Sequence, residues 1–183
     1  MTSPEDRGLL LGLARNAITA YVAGVSPAPA GESDVLARLG GVFVSLHHRG
    51  ELRGCIGHIA ADLPLAQVIP QSAVASCSQD PRFAKVTPTE LDDIDIELSL
   101  LGPLEAIKGP DEIEIGRHGL LVEQDRRRGL LLPQVAAEWK WDAATFLAQT
   151  CRKAGLTADA WKRADHLWRF EAEVFGENGK RET

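Results

Sequence analysis

Gly41-Val42-Phe43-Val44-Ser45-Leu46-His47-His48 is followed by Arg49-Gly50 and then by Glu51-Leu52-Arg53-Gly54-Cys55-Ile56-Gly57. Two runs rich in strand-forming residues flank a short glycine turn, which predicts a β-hairpin over residues 41 to 59. With a two-residue loop, Cys55 falls opposite Val44 and Arg53 opposite Leu46. Side chains alternate along the return strand, so Glu51, Arg53 and Cys55 share one face while Leu52, Gly54 and Ile56 take the other. Glycine weakens a strand. Gly54 and Gly57 therefore require a reason, such as a bulge or the close approach of a backbone or ligand.

Working outward, residues 3 to 24 predict an amphipathic helix. Ser3 caps it, Pro4 fits its first turn, and Gly24 stops it. Residues 62 to 80 predict a second helix capped by Asp62, kinked or divided at Pro70 and ended by Asp80-Pro81. Leu65, Ile69, Ala73 and Cys77 fall on one of its faces. Ile94, Ile96, Leu98 and Leu100 alternate with Asp95, Glu97 and Ser99, the pattern of a half-buried strand. A second hairpin is expected over residues 120–123 and 129–132, with Arg126-Arg127-Arg128 as its solvated turn. Asp142 caps a helix that ends at Gly155. Trp168, Phe170, Ala172 and Val174 alternate as a last strand, with Trp168 in the core. Strands in hairpins and helices clustered between them give an α+β fold, with a mainly antiparallel sheet and flanking helices. The expected organisation is one domain over residues 1–175, with a smaller lobe, followed by a polar tail at 176–183.

A net charge of −6 supplies no cationic field for nucleic acid or an anionic membrane. No apolar run approaches the ~20 residues of a membrane-spanning helix, and the acidic N-terminus lacks a signal-peptide charge pattern. Three cysteines without framework spacing point to reduced thiols and a cytoplasmic setting. His47-His48 point to opposite strand faces, and no Cys-x-x-Cys or His-x-x-x-His spacing exists, so no metal is expected. No phosphate-loop or dinucleotide motif occurs, and no cofactor is expected.

Leu52-Arg53-Gly54-Cys55-Ile56-Gly57 resembles the signature of the AMMECR domain family, whose prokaryotic members are called AmmeMemoRadiSam system protein A. Asp80-Pro81-Arg82-Phe83, Glu90-Leu91, residues 94–100 and 116–120, Leu132-Pro133-Gln134-Val135-Ala136, Trp141-Asp142 and Lys153-Ala154-Gly155-Leu156 resemble further family blocks in the family's order. The resemblance implies a compact two-lobed α+β fold. It also implies association with a Memo-like protein and a radical S-adenosylmethionine protein. This chain has no iron–sulfur cysteine triplet, so radical chemistry would belong to the partner.

Cys55 is the leading chemical candidate. A thiolate is the reactive form, and Arg53 on the same strand face would favour it. Its bland reading is a small packed residue between glycines. A cysteine nucleophile normally works with a base, and His118, within a family-like block, is the candidate. Gly54, Gly57, Asp80 and Arg82 are candidate cleft residues for a substrate, small-molecule ligand or partner; the bland reading of Asp80 and Arg82 is a surface ion pair. Two functions stay open. One is a binding or accessory component acting with the Memo-like and radical proteins. The other is an enzyme using Cys55 activated by Arg53 on a small acidic or acyl substrate.

Overall fold

The computed structural model describes residues 2–177. The chain forms two compact units. The first runs through Leu101 and takes the chain back from Glu173; the second is Gly102–Ala172.

The first unit opens with α1 (Pro4–Ala23), where the Ser3 hydroxyl accepts from the Asp6 N–H and Gly24, at φ 69°, ends the helix. The short helix α2 (Asp34–Ala37) follows the Pro27-Ala28-Pro29 stretch. Strands β1 (Gly41–His48) and β2 (Glu51–His58) form the expected hairpin. Its loop is two residues, Arg49 and Gly50, both at positive φ. The register departs from expectation. His48 pairs Glu51 and His47 pairs Leu52, but Leu46 pairs Gly54 and Ser45 pairs Cys55. Arg53 is the extra residue of a β-bulge, so Cys55 lies opposite Ser45 rather than Val44, and Arg53 has no opposite number.

Helix α3 (Leu65–Ser78) starts after Pro64 rather than at Asp62, whose carboxylate is engaged by His58 Nε2 at 2.6 Å. It continues through Pro70 as one helix. Its Leu65, Ile69, Ala73 and Cys77 are buried with Leu10, Ile18, Val44 and Leu98 in the first core. A 3-10 turn at Pro88–Asp93, closed by a Thr87–Glu90 capping box, leads to β3 (Ile94–Leu101). β3 pairs antiparallel with β1. It is buried on both faces, Glu97 and Ser99 included, and so is not the half-exposed strand its alternation predicts.

The second unit contains β4 (Glu105–Ala106), β5 (His118–Gln124) and β6 (Arg127–Leu131). Asp125, at φ 55°, and Arg126 make the turn of this hairpin. Arg127 and Arg128 thus belong to β6, where they bind the Gly155 carbonyl and the Glu123 carboxylate. Helices α4 (Pro133–Glu138) and α5 (Ala143–Lys153) follow, α5 capped by Asp142. Phe146, Leu147 and Cys151 pack with Leu120 and Val122 in the second core. The last strand, β7 (His166–Gly176), pairs antiparallel with β4 and β5. Leu167, Phe170, Val174 and Phe175 carry its apolar burial, while Trp168 is half-buried and stacked on His166.

The result is an α+β fold with an antiparallel sheet and flanking helices. Gly176 still belongs to β7, and the Glu177 carboxylate is held by Arg15 and by the Ile96 N–H, so those two residues are not tail. The rest of the expected tail, 178–183, lies outside the described residues. Among the described residues, no helix is long and apolar enough to cross a membrane. None of the three cysteines forms a disulfide.

Candidate functional site

Cys55 sits on β2, the edge strand of its sheet. An edge strand normally leaves peptide groups open, but here α3 and the segment after it occupy them. The Cys55 N–H donates to Asp80 Oδ2 at 2.9 Å. Asp80 is buried, and its carboxylate also accepts from the Arg82 N–H, from Arg82 Nε at 2.9 Å and from Arg82 Nη2 at 2.6 Å. Arg82 Nη2 reaches back to the Cys55 carbonyl at 3.5 Å. The Asp80-Pro81-Arg82 segment therefore latches both peptide groups of Cys55. The hydrogen bonds from Arg82, with those from the Cys55 and Arg82 amides, hold the Asp80 carboxyl well below the usual carboxylate range against the opposing effect of burial.

Ser76, in the last turn of α3, adds a second attachment. Its hydroxyl accepts from the Ile56 N–H at 2.8 Å and donates to the Val44 carbonyl at 2.7 Å, bridging the two strands of the hairpin. This insertion explains Gly54. A Cβ there would stand 2.2 Å from the Ser76 carbonyl oxygen. Gly54 thus admits a helix backbone, not a ligand. At Gly57 a Cβ would meet the Val42 carbonyl and the Phe43 ring at 2.4 and 2.5 Å, so the Phe43 ring fills that space. Gly57 also borders an open hollow of about 590 Å³ shared with His58, Gln71, Ser72 and Gln79.

Registers fix the row across the sheet. Ser45 stands between Cys55 on β2 and Glu97 on β3. The Ser45 hydroxyl donates to Cys55 Sγ at 3.3 Å. Ser45 and Glu97 are both buried. In the next row of the same face, Ser99 stands opposite Phe43; its Oγ is the one buried side-chain oxygen or nitrogen without a hydrogen-bond partner among the described residues.

Arg53 takes a different role from the one its spacing implied. Displaced by the bulge, its guanidinium pairs with Glu90 through Nε at 2.9 Å and Nη2 at 3.3 Å, and donates to the carbonyls of Ala84 and Lys85. Hydrogen bonding from Arg53 is the main cause that brings the Glu90 carboxyl down to about 2. Arg53 is a strut between β2 and the segment after α3. The cation whose guanidinium reaches the Cys55 peptide is Arg82. Its side chain is 54% exposed although the guanidinium is clamped by Asp80 and lies over the Phe83 ring at 5.3 Å. Arg82 Nη1 donates to nothing among the described residues.

The structure thus gathers Cys55, Gly54, Asp80 and Arg82, and diverts Arg53. His118 belongs to the second unit, where it opens β5. Ser45, Ser76 and Glu97 are site residues that sequence reading missed. Helical spacing brackets Ser76 between Ala73 and Cys77, but nothing in the string shows that its hydroxyl enters a strand ladder. Cys77 and Cys151 are core thiols, both pushed up by burial, Cys77 to about 11. Among the described residues, His, Cys, Asp and Glu nowhere gather in threes in a way that could hold a metal ion.

The AMMECR1 family model matches residues 11–175. A protein of Methanothermobacter thermautotrophicus is 42% identical, covering 97% of this chain and 97% of its own. One from Thermococcus onnurineus is 45% identical over 92% of this chain and 88% of its own. The crystal structure of an uncharacterized protein, PH0010, from Pyrococcus horikoshii superposes with a TM-score of 0.86 at 41% identity. That match covers 95% of this chain and 92% of the other. With its hairpin motif, the Asp80–Arg82 latch and the whole second unit inside the matched span, the chain belongs to the AMMECR1 family.

Proposed function

We propose that this chain is a binding component of a cytoplasmic modification pathway, acting with a Memo-like protein and a radical S-adenosylmethionine protein, and that it recognises an acidic group beside Cys55. The observation that carries this reading is Arg82. Its guanidinium is held by two bonds to a buried carboxylate and by an aromatic face, yet half the side chain is open and Nη1 has donors to spare. A cation fixed in advance loses little freedom on binding, and a bidentate partner can still approach its open side. Family membership supports the choice of partners. Co-purification of the tagged chain with both proteins, under reducing and anaerobic conditions, tests it. Recovery of the partners by the wild type and their loss with Arg82→Ala are expected; recovery of neither by the wild type would remove the proposal.

A second reading has its own observation, the Ser45 hydroxyl donating to Cys55 Sγ. In that reading Cys55 is a nucleophile for a small acidic or acyl substrate, and Arg82 takes the place first given to Arg53. A substrate-derived mass adduct on Cys55, absent in Cys55→Ser, would favour it over the first.

A further inference from the structure

The second unit holds a separate cavity that the recognition proposed for Arg82 does not use. A cavity of about 470 Å³ is lined by His118, Arg117, Arg169, Glu105, Glu114 and Glu171, with Phe170 beside them. His118 is 7% exposed. Its Nδ1 accepts the Glu114 N–H at 2.9 Å, closing the turn that leads into β5. An acceptor Nδ1 places the ring proton on Nε2. Nε2 has no hydrogen-bond partner among the described residues, and it is not among the atoms sealed from solvent without one. It therefore presents an N–H donor to the cavity. Burial, followed by the charges of Arg169 and Arg117, pushes His118 below its ordinary value, which keeps the ring neutral in this tautomer near pH 7.

The walls are charged and mutually paired. Arg169 binds Glu105 Oε2 through Nε at 3.0 Å and Nη2 at 2.9 Å. Arg117 binds Glu171 Oε1 at 2.8 Å and Glu114 Oε2 at 3.2 Å. Each glutamate spends one oxygen. Glu105 Oε1, Glu114 Oε1 and Glu171 Oε2 have no partner among the described residues. Two guanidiniums against three carboxylates leave a single negative charge. A simple anion would have to displace a glutamate from its arginine and would meet that surplus. A simple cation would leave the His118 donor unmet. A ligand with an acceptor group for Nε2–H and a net positive charge for the glutamates satisfies both.

We propose that this cavity binds a small basic amino acid, its carboxylate accepting from His118 Nε2–H and its cationic groups meeting the open oxygens of Glu105, Glu114 and Glu171. The volume exceeds that of one such molecule and leaves room for its water.

The test is an NMR titration with L-arginine, followed at the His118 ring and at the backbone amides of residues 102–118 and 169–171. Agmatine, which lacks the carboxylate, L-glutamate and inorganic phosphate are the comparison probes. L-arginine is expected to shift these signals saturably, with agmatine weaker and the two anions without effect. His118→Asn retains an acceptor where Nδ1 stood and removes the Nε2 donor. It is expected to weaken L-arginine by roughly fivefold to tenfold, the worth of one hydrogen bond. Glu105→Gln, at an exposed side chain, tests the charge without entering the core and is also expected to weaken L-arginine. Saturation by phosphate or glutamate, no response to L-arginine, or equal affinity in the wild type and Glu105→Gln would each overturn the proposal.

Discussion

Replacing Gly54 by alanine separates packing from ligand recognition in the hairpin motif. Alanine in an open, compatible backbone position is neutral to stabilising, by about 0.4–1 kcal/mol, because it restricts the unfolded chain. Gly54 is not open. Its new Cβ would lie 2.2 Å from the Ser76 carbonyl oxygen, 3.2 Å from the Ser76 carbonyl carbon and 3.8 Å from Leu46 Cδ1. Relief requires α3 to retreat from β2 by roughly 1 Å, in an interior packed without slack. Such overpacking costs about 1–3 kcal/mol. The same retreat stretches the Ser76 bonds of 2.8 and 2.7 Å to Ile56 and Val44 beyond useful length. A buried polar group left unmet adds about 1–3 kcal/mol. Gly54→Ala should therefore destabilise the first unit by about 2–6 kcal/mol. For a chain of this size that is a drop in melting temperature of about 4–24 °C. All four tryptophans lie in the second unit. Urea unfolding followed by circular dichroism reports both units, and fluorescence the second. A dichroism midpoint that moves to lower urea is the expected result. Stability within about 0.5 kcal/mol of wild type, the range of an ordinary surface change, would refute the packing argument and return Gly54 to the ligand.

Arg53→Met should destabilise by about 1–2 kcal/mol: a drop in Glu90 from 4.5 to about 2 gives a ceiling near 3.4 kcal/mol, reduced because water reaches the pair. Carboxyl-carbon NMR should then find Glu90 returned toward its ordinary value, and a Glu90 that still titrates near 2 would contradict the strut. Asp80 and Glu90 both titrate lower folded than unfolded, so their stabilisation is complete above about pH 5 and is lost as pH falls through the carboxylate range toward pH 2. Asp80→Asn should lower stability at pH 7 and flatten that acid limb, whereas an unchanged slope would show that the latch carboxylate does not contribute. Native protein at pH 8 should release one fast equivalent from Ellman's reagent, because Cys77 and Cys151 are buried with raised values; Cys55→Ser should abolish it, and its survival would assign the reactive thiol elsewhere.

Local rules carried most of the fold. Ser3 and Gly24 bound α1 as their chemistry dictates, and the Arg49-Gly50 turn sets the hairpin loop. The bulge was not legible, because one extra residue leaves the alternation of Leu52, Gly54 and Ile56 unchanged to the eye while moving Cys55 from Val44 to Ser45. That slip also decided the site. Arg53 is close to Cys55 in sequence, yet its guanidinium is taken by Glu90, 37 positions on. Arg82, 27 positions from Cys55, is the guanidinium that reaches its peptide group. Contacts of that range depend on how α3 packs. The Asp80-Pro81-Arg82 block was visible as a resemblance, but the latch it makes with β2 was not. Glu97 shows the same limit: its alternation reads as a solvent face, and its burial follows from tertiary packing.

The most direct test of the recognition reading is the affinity of the chain for the Memo-like and radical S-adenosylmethionine proteins proposed as its partners, measured side by side for wild type, Arg82→Ala and Cys55→Ser. A preorganised arginine at the centre of a contact is worth about 2 kcal/mol or more. Arg82→Ala should therefore bind roughly thirtyfold more weakly, while Cys55→Ser, which keeps the backbone held by Asp80, should stay within about threefold of wild type. The opposite pattern, wild-type affinity in Arg82→Ala together with loss of binding or of all pathway activity in Cys55→Ser, would contradict the account and make the thiol the working group.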